Sequence, residues 1–347
     1  MPQGTDSPSA AIRGDSVHLR ASQENGLASV APAHGVVDTR RPARAGPMSQ
    51  RSSSPTPLTT VLLIALLCAI WGSTWVVIRG GLEDLPPFTS AAARFVLAAA
   101  AMALVTQVLR QREGGASPAA WLWLTLGALN FASSYAIVYH TETRLPSGLV
   151  ALLWGIFPML SALAGHFAIP GERLRAAHWI GFATGLLGLA LLFLTDIASF
   201  GPEAIPAALF LLLSPIVSTV GNTLAKLHGK GVSSLALNRN AMAFGAVLLS
   251  ALAFALEKPL EVTWTPRAAA SVVYLALAGT VLTFGLYFWL MRHVAASSLS
   301  LIAYVTPVIA LALGWMFGET LTLSTIGGAV LIVGSVALVV RVPKSAD

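Results

Sequence analysis

The sequence predicts an all-α integral membrane protein whose ten transmembrane helices form an inverted repeat of five plus five. Three observations lead to this fold class. Hydrophobic residues make up 55% of the 347-residue chain and charged residues only 10%, whereas soluble domains carry about 25% charged residues. Ten apolar segments are long enough to cross a bilayer, and the second half of the chain repeats motifs of the first.

The apolar segments are separated by short connections that contain Gly, Pro or charged residues, which excludes a soluble domain between them. A span needs about 20 apolar residues. The segments that qualify are roughly 58–79, 86–109, 119–139, 147–169, 177–195, 204–225, 234–256, 267–290, 296–317 and 323–341.

Residues 1–57 are rich in Ser, Pro, Ala, Gly and Arg and lack apolar periodicity, which predicts a disordered cytoplasmic tail. Met48 is an alternative start, in which case residues 1–47 precede the true beginning of the protein. The single cysteine, Cys68, lies inside an apolar segment, so neither a disulfide framework nor a cysteine metal site is expected.

The repeat is clearest in the fourth and ninth segments. Pro158 matches Pro307 at a spacing of 149 residues, and each segment ends in a Gly-Glu-x-Leu motif, at Glu172 and Glu319. The two prolines are expected to kink their helices. We therefore predict a first five-helix repeat over 58–195 and a second over 204–341.

The orientation follows from the distribution of Lys and Arg, which accumulate in cytoplasmic loops. Alternate connections and the C-terminal tail hold most of these residues: Arg110, Arg112, Arg173, Arg175, Lys226, Lys230, Arg292, Arg341 and Lys344. Both termini are therefore predicted in the cytoplasm. Because five is an odd number of spans, the second copy must enter the membrane in the opposite orientation. In agreement, arginines follow Glu172 on the predicted inner side, whereas threonines follow Glu319 on the outer side.

Short motifs in these spans resemble the EamA-type transporters of the drug/metabolite transporter superfamily. They are Ala-Ile-Trp-Gly-Ser-Thr-Trp ending at Trp75, Pro-Pro-Phe ending at Phe88, Arg94-Phe95, and the two proline spans with their Gly-Glu-x-Leu ends. The resemblance covers about residues 58–341. It implies ten helices around a central pocket, alternating access, and export or exchange of small metabolites, but it names no substrate.

Polar and aromatic residues inside the spans are the candidates for the pocket, because unpaired polar groups are costly in hydrocarbon. On the first span Trp71, Trp75 and Arg79 share one helix face, and their repeat counterparts are Ser218, Asn222 and Lys226. These stripes either line the cavity or serve as interfacial anchors, helix ends and interhelical contacts.

The third span carries the densest polar run, and the proline spans each carry an aromatic residue one turn before the proline. The candidate pocket residues here are Asn130, Ser134, Tyr135, Trp154 and Tyr304. Packing between helices is the alternative role for each of them.

Two charged residues within or beside spans are candidates for binding ions. Arg94 lies two turns into the second span and either binds a substrate carboxylate or phosphate or pairs with Glu83, Asp84 or Glu142. Its repeat counterpart, Asn240, is neutral. Glu142 is a candidate for proton coupling, with a surface ion-pair cluster including His140 and Arg144 as the alternative.

These features favour a secondary transporter of small metabolites, including amino acids and aromatic or drug-like amphipathic compounds, with export suggested by the resemblance. A membrane scaffold or lipid-binding subunit is the first alternative and an intramembrane enzyme the second, although the sequence lacks the usual catalytic and nucleotide-binding motifs. The expected partners are a small-molecule substrate, the lipid bilayer and, in the coupled case, a proton. A homodimer fits the sequence as well. Neither nucleic acid nor a cofactor or metal is expected. The expected location is a bacterial inner membrane.

Overall fold

The computed structural model describes residues 56–113, 115–170, 173–197, 199–293, 299 and 301–341. The predicted tail, except for its last two residues, lies outside this described part, and so does Glu172. Tyr304 lies in a described helix, but its side chain is outside the described part as well.

The described residues form ten apolar helical spans. They are α1 (Pro57–Gly81), α2 (Pro87–Glu113), α3 (Ala120–Glu142), α4 (Ser147–Ala168), α5 (Ala176–Leu192), α6 (Ala204–His228), α7 (Ser234–Leu256), α8 (Pro266–Ala276, continued by Leu277–Leu282 and Thr283–His293), α9 (Leu301–Met316) and α10 (Leu323–Arg341). Within the described ranges, seven of them are long and apolar enough to cross a membrane, and the three shorter apolar helices fall in α5, α9 and α10. The predicted all-helical membrane fold is confirmed.

Several helices begin at residues suited to cap them. Thr56, Ser233 and Thr265 each accept a hydrogen bond from a backbone N–H in the first turn of α1, α7 and α8. A side-chain oxygen at this position satisfies a donor that has no partner inside the helix. Pro57 and Pro266 open α1 and α8 at a position where the missing N–H costs nothing.

Three spans depart from regular α-helix at their centres. α3 is π-helical over Gly127–Ser133 and α8 over Leu277–Leu282, which are corresponding places in the two copies. α4 is interrupted after Trp154 and resumes at Phe157, with Pro158 in the first turn of the new segment. α9, by contrast, continues through Pro307. Such irregular backbone is tolerated in a membrane where it is buried in protein.

The contacts between helices follow a two-fold pattern. α2 packs on its counterpart α7, and α5 packs on its counterpart α10. The other contacts occur in exchanged pairs: α1 with α9 corresponds to α6 with α4, and α1 with α8 corresponds to α6 with α3. This pattern is unchanged when the two copies are exchanged, as expected for a structural repeat.

The register between α5 and α10 shows that the copies run in opposite directions. A Cβ atom added at Gly185 would lie 2.8 Å from Ser335 Oγ, whereas one added at Gly188 would lie 3.0 Å from the carbonyl oxygen of Gly328. α5 and α10 are therefore antiparallel. These equivalent helices of the two copies therefore cross the membrane in opposite directions, which is the predicted inversion.

Candidate functional site

Serine and asparagine side chains connect α3 with α6 through a continuous set of hydrogen bonds, here called the polar seam. Its members are Asn130, Ser134, Ser214, Ser218 and Asn222. Asn130 Nδ2 donates to Asn222 Oδ1 at 2.9 Å, Ser134 and Ser214 are joined at 2.8 Å, and Ser218 Oγ donates to Ser134 Oγ at 2.9 Å. Ser134 and Ser214 are buried, whereas Asn222 is exposed. Because α3 belongs to the first copy and α6 to the second, the seam joins one copy to the other.

Trp154 connects the polar seam to α1. Its indole Nε1 donates to Ser214 Oγ at 3.0 Å, and its ring stacks on Phe157 with centroids 4.8 Å apart. Trp75 on α1 also packs against Trp154, with a centroid distance of 6.2 Å. The break in α4 lies between Trp154 and Phe157.

Arg94 is almost completely buried, with 1% of its surface exposed. Its Nε and Nη2 donate to Thr280 Oγ1 at 3.2 and 3.1 Å, and its Nη1 donates to the hydroxyl of Tyr139 at 3.4 Å. The guanidinium carbon lies 4.7 Å from the centroid of the Tyr135 ring. Hydroxyl groups and aromatic faces thus hold this cation, and no carboxylate among the described residues forms a salt bridge with it.

Two of the three acids proposed as partners for Arg94, Glu83 and Asp84, are engaged elsewhere. Arg267 at the start of α8 forms hydrogen bonds with Glu83 and with Asp84, the latter at 2.6 and 2.8 Å. These hydrogen bonds lower the pKa of Asp84 to about 2. The pairing of Arg94 with Glu83 or Asp84 is therefore absent, and the surface pair instead ties the α1–α2 connection to α8.

The π-helical segment of α8 places Thr280 beside Arg94. Thr280 Oγ1 donates to the carbonyl oxygen of Leu275, five residues earlier, at 2.8 Å, while accepting from Arg94. π-helical turns frequently occur at functional sites because they redirect a side chain. The hydroxyl is completely buried.

An aromatic cluster extends from Phe95, whose ring centroid lies 5.5 Å from the guanidinium carbon of Arg94, to rings of α1 and α8. Its members are Trp71, Phe95, Phe131, Phe284 and Tyr287. Trp71 lies 6.1 Å from Phe284 and 5.6 Å from Tyr287, and Phe131 lies 5.6 Å from Phe95 and 6.3 Å from Phe284, all measured between ring centroids. Most of these pairs are edge-to-face, the geometry that aromatic rings prefer.

Glu142, at the end of α3, is completely buried, and neither carboxyl oxygen has a hydrogen-bond partner among the described residues. Arg79 donates to the backbone carbonyl oxygens of Glu142 and Leu145, not to the carboxyl group. His140 and Arg144 bond each other at 2.6 Å. The alternative of a surface ion-pair cluster around Glu142 is therefore not what the structure shows.

Glu319 and Glu257 hold the first turns of other helices. Glu319 accepts from the N–H and hydroxyl of Ser147, both at 2.6 Å, and from the N–H of Gly148 at 2.9 Å. Glu257 accepts in the same way from Phe88 N and from Thr89 N and Oγ1. Glu319 thus binds backbone at a helix start, which is a structural role.

The contacts of the predicted pocket residues form two groups, one in and around the polar seam and one around Arg94 with the aromatic cluster. Two predicted residues contribute no described contact to either group. Asn240 accepts two hydrogen bonds from the neighbouring Arg239, at 2.9 and 3.0 Å, and joins no residue of the polar seam. Tyr304 stays a prediction. Ser214 was missed, although it lies four residues before Ser218, on the same face of α6 as the polar seam.

Residues 58–194 and again 205–341 match the EamA-like transporter family. The chain belongs to this family. Its members are membrane transporters and not enzymes.

Curated relatives agree with this assignment. The chain is 26% identical to the uncharacterized transporter YoaV of Bacillus subtilis (strain 168), over 78% of this chain and 93% of the relative. It is 31% identical to the uncharacterized inner membrane transporter YedA of Escherichia coli (strain K12), over 74% and 82%. One crystal structure has the same fold, with a TM-score of 0.59 at 20% identity, covering 81% of this chain and 96% of that chain.

Proposed function

We propose that this transporter carries small amphipathic metabolites, amino acids and aromatic compounds among them, out of the cell by alternating access through a central site. Residues 58–195 and 204–341 would act as the two halves that move around that site. The protein would lie in a bacterial inner membrane with both termini in the cytoplasm, as its Lys and Arg distribution indicates.

The observation that carries the proposal is the buried guanidinium of Arg94, which forms no salt bridge with any described carboxylate. A buried cation in a membrane span is expensive and is retained for a function. Its guanidinium has five N–H donors, and the three hydrogen bonds to Thr280 and Tyr139 leave two of them for another acceptor. A carboxylate on the substrate would fill that position, because the planar guanidinium binds carboxylates in bidentate geometry.

The surroundings of Arg94 suit an apolar or aromatic substrate body. The aromatic cluster, which reaches the guanidinium through Phe95, supplies ring faces and edges, and the polar seam supplies amide and hydroxyl groups, its Ser134 directly preceding Tyr135 on α3. A large polyanion would need several cations, whereas the other cation beside Glu142, Arg79, is held by the backbone carbonyl oxygens of Glu142 and Leu145. The arrangement therefore favours a small molecule with a single anionic group.

Counterflow in proteoliposomes tests the proposal. Vesicles containing the purified protein are preloaded with unlabelled compound, and entry of the labelled form is followed for a panel of amino acids and aromatic carboxylates. At least one panel compound should exchange in wild type, Arg94→Ala should abolish that exchange, and Asn130→Ala should slow it. Glu261→Gln serves as the control, because Glu261 is exposed and bonds only Lys258 among the described residues.

The proposal fails if the correctly inserted wild-type protein exchanges no compound of the panel. It also fails if Arg94→Ala and Asn130→Ala both exchange the compound at the wild-type rate, since the site would then lie elsewhere.

A further inference from the structure

Glu142 is a buried carboxyl group that the proposed substrate site does not use. It is 0% exposed, and neither of its oxygens receives a hydrogen bond from any described residue. A buried ionised carboxylate without a donor is strongly unfavourable. Glu142 is therefore either protonated or available to bind a cationic partner.

The charged neighbours of Glu142 cannot supply that partner as they are placed. Arg79 from α1, Arg94 from α2 and Glu319 after α9 are the charges that act on it. Arg79 binds backbone carbonyl oxygens, and Glu319 caps α4. Arg94 donates hydrogen bonds to Tyr139 and Thr280. Tyr139 lies one turn before Glu142 on the same face of α3.

Unused acceptors and unused donors therefore lie near each other at the outer end of the substrate site. The Glu142 carboxyl oxygens have no donor, and two N–H groups of Arg94 have no acceptor among the described residues. A molecule with one cationic and one anionic group would satisfy both. Its anionic group would bind Arg94, and its cationic nitrogen would bind Glu142.

We infer that Glu142 is a proton-binding site of the transport cycle, at which a proton and the cationic nitrogen of the substrate replace each other. This inference rests on the proposed function for one of the two ligands, the substrate. Two ligands that compete for one carboxyl group cannot be carried together in one direction. The proton gradient would therefore drive the substrate by exchange: a proton enters as the substrate leaves, with no chemical change in either.

The proton site is tested first without any substrate. Infrared difference spectra of the purified protein in lipid vesicles are recorded as the pH is raised, following the carbonyl band of a protonated carboxyl group. Wild type should lose such a band on deprotonation, and Glu142→Gln should lack it. Glu142→Asp should restore a shifted band, and Glu261→Gln should match wild type. Identical spectra for wild type and Glu142→Gln at every pH would overturn the inference.

The coupling is tested with a transported panel compound in vesicles with an acidic lumen. Wild type should accumulate the labelled compound above its external concentration. Glu142→Gln should lose accumulation, and any exchange that remains should show a raised KM, because the cationic nitrogen of the substrate has lost its carboxylate. Accumulation that persists in Glu142→Gln would overturn the inference. If no panel compound moves but the infrared band titrates and depends on Glu142, the proposed function fails while the proton site stands.

Discussion

Arg94 illustrates how a single cation is held inside a membrane span without an acid. Two hydroxyl groups accept its hydrogen bonds, and the Tyr135 ring lies beneath the guanidinium. A desolvated cation–π contact of this kind contributes about 2 kcal/mol. The residue is therefore stable without a salt bridge, which leaves its charge for an incoming anion.

Replacing Arg94 by Lys should impair transport although the charge is kept. The ammonium group cannot reproduce the planar fork that reaches Thr280, Tyr139 and a substrate carboxylate together. We expect at least a tenfold higher KM for the transported compound, which corresponds to about 1.4 kcal/mol of binding energy. Concentration-dependent counterflow measures it. An unchanged KM would mean that Arg94 has only a structural role.

The sequence predicted the unusual character of Arg94 but not its partners. Its position two turns inside an apolar span was enough to indicate burial. Thr280 is 186 residues away, and its approach depends on the packing of α2 against α8 and on the π-helical turn. Neither follows from apolar periodicity. For the same reason the sequence did not decide whether Glu142 couples protons or belongs to a surface ion-pair cluster.

At the scale of helices, acids after one span fix the beginning of another. Glu319, after α9, satisfies two backbone N–H groups and a hydroxyl at the start of α4. These N–H groups have no partner within α4 itself. The contact therefore joins the two copies at the predicted outer side.

Glu319→Gln should destabilise the start of α4. The amide group offers one neutral acceptor where the carboxylate offers two charged ones, so the cap should weaken by about 1–2 kcal/mol. Hydrogen exchange at the amides of Ser147 and Gly148 should become faster, and the melting temperature in detergent should fall. Glu261→Gln is the matched control on an exposed pair. Unchanged exchange at both amides would contradict this role for Glu319.

The close approach of α5 and α10 depends on glycine. A Cβ atom at Gly188 would lie 2.9 Å from Leu331 Cβ and 3.0 Å from the Gly328 carbonyl oxygen, which is too close for a real contact. Gly188→Ala should therefore cost about 1–3 kcal/mol through overpacking.

Gly334→Ala is the control, because a Cβ there meets nothing within 4 Å. It should be neutral or stabilise α10 slightly, since Ala is the better helix former by about 1 kcal/mol. Thermal unfolding in detergent compares the two variants. Equal melting temperatures for both would contradict the packing described between α5 and α10.

At the scale of the whole molecule, the sequence predicted the architecture well. The lengths of the apolar segments predicted the spans. The repeated proline segments showed that the chain is duplicated, and the odd number of spans in each copy predicted the inversion. The pairing of α2 with α7 and of α5 with α10 was not predicted, because all spans are similarly apolar and hydropathy does not select neighbours. The interruption of α4 beside Pro158, where α9 continues through Pro307, also needed the structure.

The proposed orientation predicts the exposure of two successive loops. In a Cys68→Ala background, Glu261→Cys should react with a membrane-impermeant maleimide from outside intact cells. Lys230→Cys should react only after the membrane is permeabilised, since α7 separates the two loops. The reverse pattern would place the termini on the outside.

The most direct test of a single substrate site between the two copies is protection of engineered cysteines by a transported compound. Asn130→Cys in the first copy and Asn222→Cys in the second, each in the Cys68→Ala background, are alkylated with and without that compound. The account predicts that one compound slows alkylation at both positions, because the two side chains meet in the polar seam, and leaves Lys230→Cys unchanged. A compound that is transported yet protects neither position would contradict it.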